Sequence, residues 1–311
     1  MKFFRIAAGG AAGLALALAV LGSWVRINGA GMTCPDWPLC RGSLVPQLIG
    51  GVVLEWSHRA IALTVGFVII AAFVAGWRVR REVAGVVPTL FALVAVFVLQ
   101  VAAGGITIHE SNSPRSVVLH WGVAMALLAT LVFLALLAFL APRPGSGVPA
   151  IRSGSPFGAL AAATLFAFVT MCIGSYVSSS GAGLACPTFP SCDGTFAAAS
   201  PPQLVQMLHR LAAGLFVLAA FTAAVFAARS GMPRVRAWAF GGAALALLQV
   251  ALGIANVLWR MPVPLREAHA ANAAVTFIVF LVATFLATLD PLAARSALQR
   301  TTYAAEGMRR A

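Results

Sequence analysis

The chain is written twice, and the repeat keeps its chemically useful residues. Gly22-Ser23-Trp24-Val25 returns as Gly174-Ser175-Tyr176-Val177. Gly29-Ala30-Gly31, followed by Cys34-Pro35-Asp36-Trp37-Pro38-Leu39-Cys40, returns as Gly181-Ala182-Gly183, followed by Cys186-Pro187-Thr188-Phe189-Pro190-Ser191-Cys192, with the copies 152 positions apart. His58-Arg59 returns as His209-Arg210, one residue off that register. Leu99-Gln100-Val101 with Gly104 and His120 returns as Leu248-Gln249-Val250 with Gly253 and His269. Such a chain folds into two similar units, each with one cysteine pair and two histidines.

The repeated frame is apolar. Of 311 residues, 61% are hydrophobic and 9% charged, which no soluble domain of this length accommodates. Runs of the roughly 20 apolar residues needed to span a bilayer fall near 6–25, 52–76, 84–107, 116–140, 157–178, 204–228, 237–258 and 267–289. The first follows Lys2 and Arg5 like a signal peptide, but its closing Gly22-Ser23-Trp24-Val25 recurs at the end of the fifth run, so it reads as a retained helix. The expected fold is an all-α integral membrane protein with eight transmembrane helices in two pseudo-symmetric four-helix bundles. Residues 1–140 form one half and 157–290 the other, joined by a Pro/Gly/Ser-rich cytoplasmic linker at 141–156. A polar, basic, weakly ordered cytoplasmic tail is expected at 291–311. An even helix number per half orients both halves alike, about an axis along the membrane normal.

The formal charge of +13 is a topology signal rather than a nucleic-acid site. With the N-terminus inside, Lys2, Arg5, Arg78, Arg80, Arg81, Arg143, Arg152, Arg229, Arg234, Arg236, Arg295, Arg300, Arg309 and Arg310 all fall on the cytoplasmic side. Both termini are then cytoplasmic in a multi-pass plasma-membrane protein. The long loops at about 26–50 and 179–202 lie outside, where disulfides persist.

Four of the five histidines, His58, His120, His209 and His269, fall within roughly two turns of the outer ends of the even-numbered helices. Equal depth on neighbouring helices suits axial ligation of a haem iron, by His58 with His120 and by His209 with His269. The competing reading is interhelical hydrogen bonding. Ionisable groups inside membranes are costly and usually functional, and four at matched places favour ligands. His109, in an external turn without a counterpart, reads as solvated. Cys34/Cys40 and Cys186/Cys192 are each C-x5-C bracketed by prolines, which predicts disulfides. Each pair is either a staple for its loop or, as a small exposed disulfide beside a haem, an electron exchanger. Cys172 reads as a buried small residue.

Glu55 precedes His58 by three residues, and Gln206 precedes His209 by three. A carboxylate facing an uncharged isostere is the main break in the repeat. It is either a partner for Arg59 or a proton acceptor in one site only. Arg59 and Arg210 either meet haem propionates or snorkel to lipid headgroups. Gln100, Gly104, Gln249 and Gly253 read as packing contacts.

The combination of Gly29-Ala30-Gly31 with Cys34 and Cys40, of Glu55-Trp56-Ser57-His58-Arg59, of His120, and of the repeat with His209-Arg210 and His269 resembles the haem A synthase family over about residues 15–290. The resemblance implies an oxidoreductase that converts the methyl substituent of haem O to the formyl group of haem A for cytochrome oxidase. One half would hold substrate haem O and the other a resident haem b. Glu55 points to the first half as the substrate site, with Glu55, Cys34 and Cys40 as its catalytic candidates. The implied partners are haem O delivered by a membrane haem O synthase, an electron acceptor the residues do not name, and membrane lipid. A homo-oligomer is an open assembly. The competing class is a di-haem b electron-transfer protein resembling quinol-linked cytochromes b, with both sites permanently filled and alike. A transporter of parallel repeats fits the topology but does not call for four histidines at one depth.

Overall fold

The computed structural model describes residues 1–140 and 156–310, with side chains described as far as Leu289. All eight expected spans are helices: α1 Lys2–Ile27, α2 Gly51–Arg78, α3 Val86–His109, α4 Pro114–Leu140, α5 Phe157–Ser179, α6 Pro201–Arg229, α7 Pro233–Leu258 and α8 Val263–Arg310. Each is long and apolar enough to cross a membrane; in α8 the apolar span is Val263–Leu289. The protein is thus a multi-pass membrane protein. Proline opens α4, α6 and α7. There its fixed φ favours the helix and its missing N–H has no acceptor to lose. Beyond Leu289, α8 continues as helix to Arg310 where the sequence suggests a weakly ordered tail; Ala, Leu, Arg and Gln are strong helix formers. Apart from Pro156, the expected linker lies outside the described residues.

In the first half α1 packs on α2 and α4, and α3 on α4. In the second, α5 packs on α6 and α8, and α7 on α8. Across the halves α1 meets α8, and α4 meets both α5 and α8. The first and fourth helices of each half therefore form the centre. Apolar surface gains little by moving from lipid to protein, so these helices associate through close packing of small residues. Ala7, Ala8, Ala11 and Ala15 are buried along α1. At Gly242 a Cβ would lie 2.8 Å from the Phe280 ring, so the ring needs that glycine.

Large buried side chains concentrate away from the cysteine loops. Phe4, Leu90, Leu93, Leu134, Leu137 and Leu160 are all fully buried. They occupy the starts of α1, α3 and α5 and the end of α4. The tight core thus seals one end of the molecule. The histidines lie at the other.

Candidate functional site

Each loop at the histidine end is a compact, stapled unit. Cys34–Cys40 and Cys186–Cys192 are disulfides, each with Cα atoms 4.6 Å apart. Pro38 and Pro190 follow cis peptide bonds. Cys40 pairs with Ser43, and Cys192 with Thr195, through backbone bridges. The turns between them use positive φ at Arg41-Gly42 and Asp193-Gly194, a conformation glycine adopts without strain. The Asp36 carboxylate accepts from the Gly42 amide at 2.7 Å and from the Arg41 amide. These amides, Gly42 foremost, hold the Asp36 carboxyl below its ordinary value. One expectation is corrected here: the disulfides are not exposed. All four cysteines are at most 2% accessible. Cys34 and Cys40 pack on Val52 and Trp56, whereas Trp37 and Phe189 are exposed, Trp37 lying against Gly105 and Phe189 lining the histidine cavity described below.

Glu55 and Gln206 explain how the loops are held. Glu55 is buried, and its Oε2 accepts from the Cys34 amide at 2.8 Å and from the Thr33 hydroxyl at 2.9 Å. Its Oε1 takes Arg59 Nη2 at 2.7 Å. Gln206 occupies the same place: its Oε1 accepts from the Cys186 amide, and its Nε2 donates to the Gly183 carbonyl at 2.8 Å. The arginines turn to the loops, and Arg210 also lines the cavity described below. Arg59 donates to the Cys34, Asp36 and Leu39 carbonyls as well as to Glu55. Arg210 donates to the Cys186, Pro190 and Ser191 carbonyls. A guanidinium offers a rigid fork of donors, and here the fork fits a ring of loop carbonyls. Arg59 is therefore a strap across the cysteine loop, a role the sequence reading did not assign to it.

The four histidines occupy matched seats. A Cβ at Gly22 would stand 2.9 Å from His58 Cε1, and one at Gly174 would stand 2.8 Å from His209 Cε1. At Gly104 and Gly253 the corresponding distances to His120 and His269 are 3.3 and 3.2 Å. Each imidazole thus fills the notch left by a glycine on the preceding helix. Gly104 and Gly253, read from sequence as packing residues, are ring seats. Gln100 and Gln249, read likewise, reach the ring nitrogens. Gln100 Nε2 lies 3.2 Å from His120 Nδ1, and Gln249 Nε2 lies 3.1 Å from His269 Nε2. Asn272 in turn donates to Gln249 Oε1 at 2.8 Å. Groups of this kind fix the tautomer and orientation of a ligating imidazole. His109 ends α3 and is exposed.

His209 and His269 face one another across a cavity of about 330 Å³, with ring centroids 6.5 Å apart. Two imidazoles on opposite sides of one metal, with bonds of about 2.0–2.1 Å, have centroids roughly 6–6.5 Å apart. Nδ1 of His58, of His209 and of His269 is buried without a hydrogen-bond partner. A flat metal macrocycle with apolar faces fits this arrangement: the ring nitrogens would find a partner and the apolar walls a surface. The described residues contain no cluster of three or more His, Cys, Asp or Glu that could hold a bare metal ion.

The cavity also draws on residues the sequence reading passed over. Ser23 and Arg26 of α1 and Trp121 of α4, all from the first half, form part of its wall, as does Arg266 of α8. Next to Arg266, both oxygens of Glu267 are buried without a hydrogen-bond partner. The second half therefore has its own carboxylate, two residues before His269, so Glu55 is not the sole acidic group near a histidine. One signal was available in the sequence. Arg266-Glu267 stands where the first copy has Val117-Val118, and Arg26 where the second has Ser178.

Fold and site together define a multi-pass membrane protein with four part-buried histidines beneath two disulfide-stapled loops. Residues 51–281 match the family model described as cytochrome oxidase assembly protein. The chain belongs to that family, which includes haem A synthases. A haem A synthase from Rhodospirillum centenum is 31% identical over 85% of this chain and 83% of its own length. One from Bacillus licheniformis is 29% identical over 80% of this chain and 84% of its own. One from Geobacillus kaustophilus is 31% identical over 67% of each.

Proposed function

We propose that the protein is a haem A synthase, an oxidoreductase that carries the methyl substituent of haem O to the formyl group of haem A. The observation that carries this reading is the set of four part-buried histidines in matched glycine seats at one end of the helices. Family membership favours it over a di-haem electron-transfer protein. His209 and His269 hold a resident haem b, and His58 and His120 hold substrate haem O. When bound, haem b supplies an iron whose potential is set by its two imidazoles and their surroundings. Gln249 and Asn272 orient His269, and Gln100 orients His120. The second half's own carboxylate, Glu267, stands next to Arg266 and within electrostatic reach of Arg26. The first half is taken as the reacting site: Glu55 lies one turn from His58 and can hold a proton where the second half has Gln206. Taking that proton would weaken the ion pair with Arg59 and so link proton uptake to the loop above the site. Burial of the cysteines supports the staple reading for both disulfides over electron exchange. The excess of basic residues on the linker side supports cytoplasmic termini and external loops in the plasma membrane. Haem O arrives from a membrane haem O synthase, and the electrons leave to a separate acceptor.

The test is the pigment. Protein purified from cells that make haem O should yield haem b together with haem O and haem A. His209→Ala and His269→Ala should each abolish the low-spin spectrum of the resident haem. Haem b alone, or an unchanged spectrum in both variants, refutes the reading.

A further inference from the structure

We propose that Arg26 and Arg266 form a carboxylate-binding subsite in the His209/His269 cavity, one that receives the propionate arms of the haem held there. The inference rests on the assignment of that cavity to a haem. Arg26 lies in the last turn of α1 and Arg266 in the first turn of α8, so both stand at the loop-side end, and both line the cavity. Arg26 donates to Ser178 Oγ. Arg266 Nε is buried without a partner. The one ion pair within 4 Å among the described residues is Glu55–Arg59, which involves neither Arg26 nor Arg266. Three guanidiniums thus border an apolar cavity, Arg210 with its donors on loop carbonyls and Arg26 and Arg266 without such a ring, and the nearby carboxylate is Glu267.

Charge taken out of water is costly unless it is paired, so this surplus of positive charge calls for an anion. The guanidinium fork matches a carboxylate in shape. Its two sources, one helix from each half, suit a ligand with two carboxylates on one edge of a flat apolar body. Arg59 and Arg210 are poor candidates for this task, because loop carbonyls already occupy their forks. The subsite is also one-sided. Val117-Val118 replaces Arg266-Glu267 in the first half, and Ser178 stands at the position that matches Arg26. The two haem sites would therefore differ in grip. The second would clamp its ligand by charge, as suits a permanent occupant, while the first would hold one that must leave as product.

The experiment is a titration of full-length, haem-depleted protein in detergent. A His58→Ala background leaves one histidine pair intact. The probes are ferric protoporphyrin IX and its dimethyl ester, which keeps the macrocycle but masks both carboxylates, and the readout is the low-spin absorbance. The parent should prefer the free acid by roughly 10- to 100-fold, the weight of one or two charge-assisted hydrogen bonds. Arg26→Gln and Arg266→Gln should each reduce that preference about tenfold and leave ester binding unchanged, with Arg26→Lys and Arg266→Lys intermediate. Equal binding of acid and ester by the parent overturns the proposal, as does a variant that weakens both alike. His209→Ala is the reference for the underlying assignment. If it leaves both titrations unchanged, the haem site itself is misassigned. If it abolishes them while the arginine variants keep the parent's preference, only the subsite fails.

Discussion

Replacing Glu55 separates its role in holding the loop from its role in chemistry, because Gln206 shows what an amide does at the same place. In Glu55→Ala the buried Cys34 amide loses its acceptor, at a cost of about 1–3 kcal/mol. Arg59 loses a charged partner whose side chain is 4% exposed, but it keeps three carbonyls. The cost of breaking that pair therefore falls below the roughly 3–5 kcal/mol of a charge left fully unpaired. Thr33 keeps its bond to the Ala30 carbonyl and adds little. The sum, with about 1–2 kcal/mol for the ionic part, is about 2–5 kcal/mol. In Glu55→Gln the side-chain carbonyl still accepts from the Cys34 amide, as Gln206 does from Cys186, and only the ionic part is lost, about 1–2 kcal/mol. Thermal unfolding in detergent should rank the parent above Glu55→Gln and Glu55→Ala last. The rate at which reductant opens Cys34–Cys40 should run in the opposite order. Equal destabilisation by both variants, or a neutral alanine variant, refutes the anchoring argument. The glutamine variant then tests the chemistry with the loop still in place. Haem b should be retained and haem A production lost, whereas full haem A yield would make Glu55 an anchor alone.

Three further outcomes are expected. Gly174→Ala places a methyl 2.8 Å from the His209 ring and should cost about 1–3 kcal/mol and disturb the low-spin spectrum, whereas Gly10→Ala, with nothing within 4 Å, should be neutral or slightly stabilising. Asp36 has a depressed pKa, so its contribution to loop order is complete above its ordinary value of 3.8 and is lost as pH falls through the lower folded value; reductant should open Cys34–Cys40 faster at such pH, and Asp36→Asn should open faster already at neutral pH. A non-reduced digest should yield the peptide pairs Cys34–Cys40 and Cys186–Cys192, and their burial should make reduction of the native protein slow compared with the unfolded chain; rapid reduction of the native form would return the cysteines to an electron-exchange role.

The eight spans were legible because a membrane helix is specified locally, by length and apolarity over some 20 residues. The four histidines were legible for a related reason. A regular rise per residue converts sequence position within a helix into depth, so matched positions in two copies imply matched depth. The cysteine pairings followed from two cysteines in each short, proline-bracketed loop. The destinations of long polar side chains were not legible. Arg59 reaches carbonyls 20 to 25 residues upstream, and that contact exists only once the loop has folded back over α2. Whether the disulfides face water or the core depended on that same folding, and they face the core. The glycine notches become visible only when α1 lies against α2, and α3 against α4. Arg26 joins the second-half cavity because α1 packs on α8 and Arg26 reaches Ser178 of α5, a contact between copies that no pattern within one copy records. Sequence alone determined which elements form and how deep their polar residues lie, since both are set by neighbours along the chain. Tertiary structure decided which donor meets which acceptor, since that depends on distances between segments far apart in the chain.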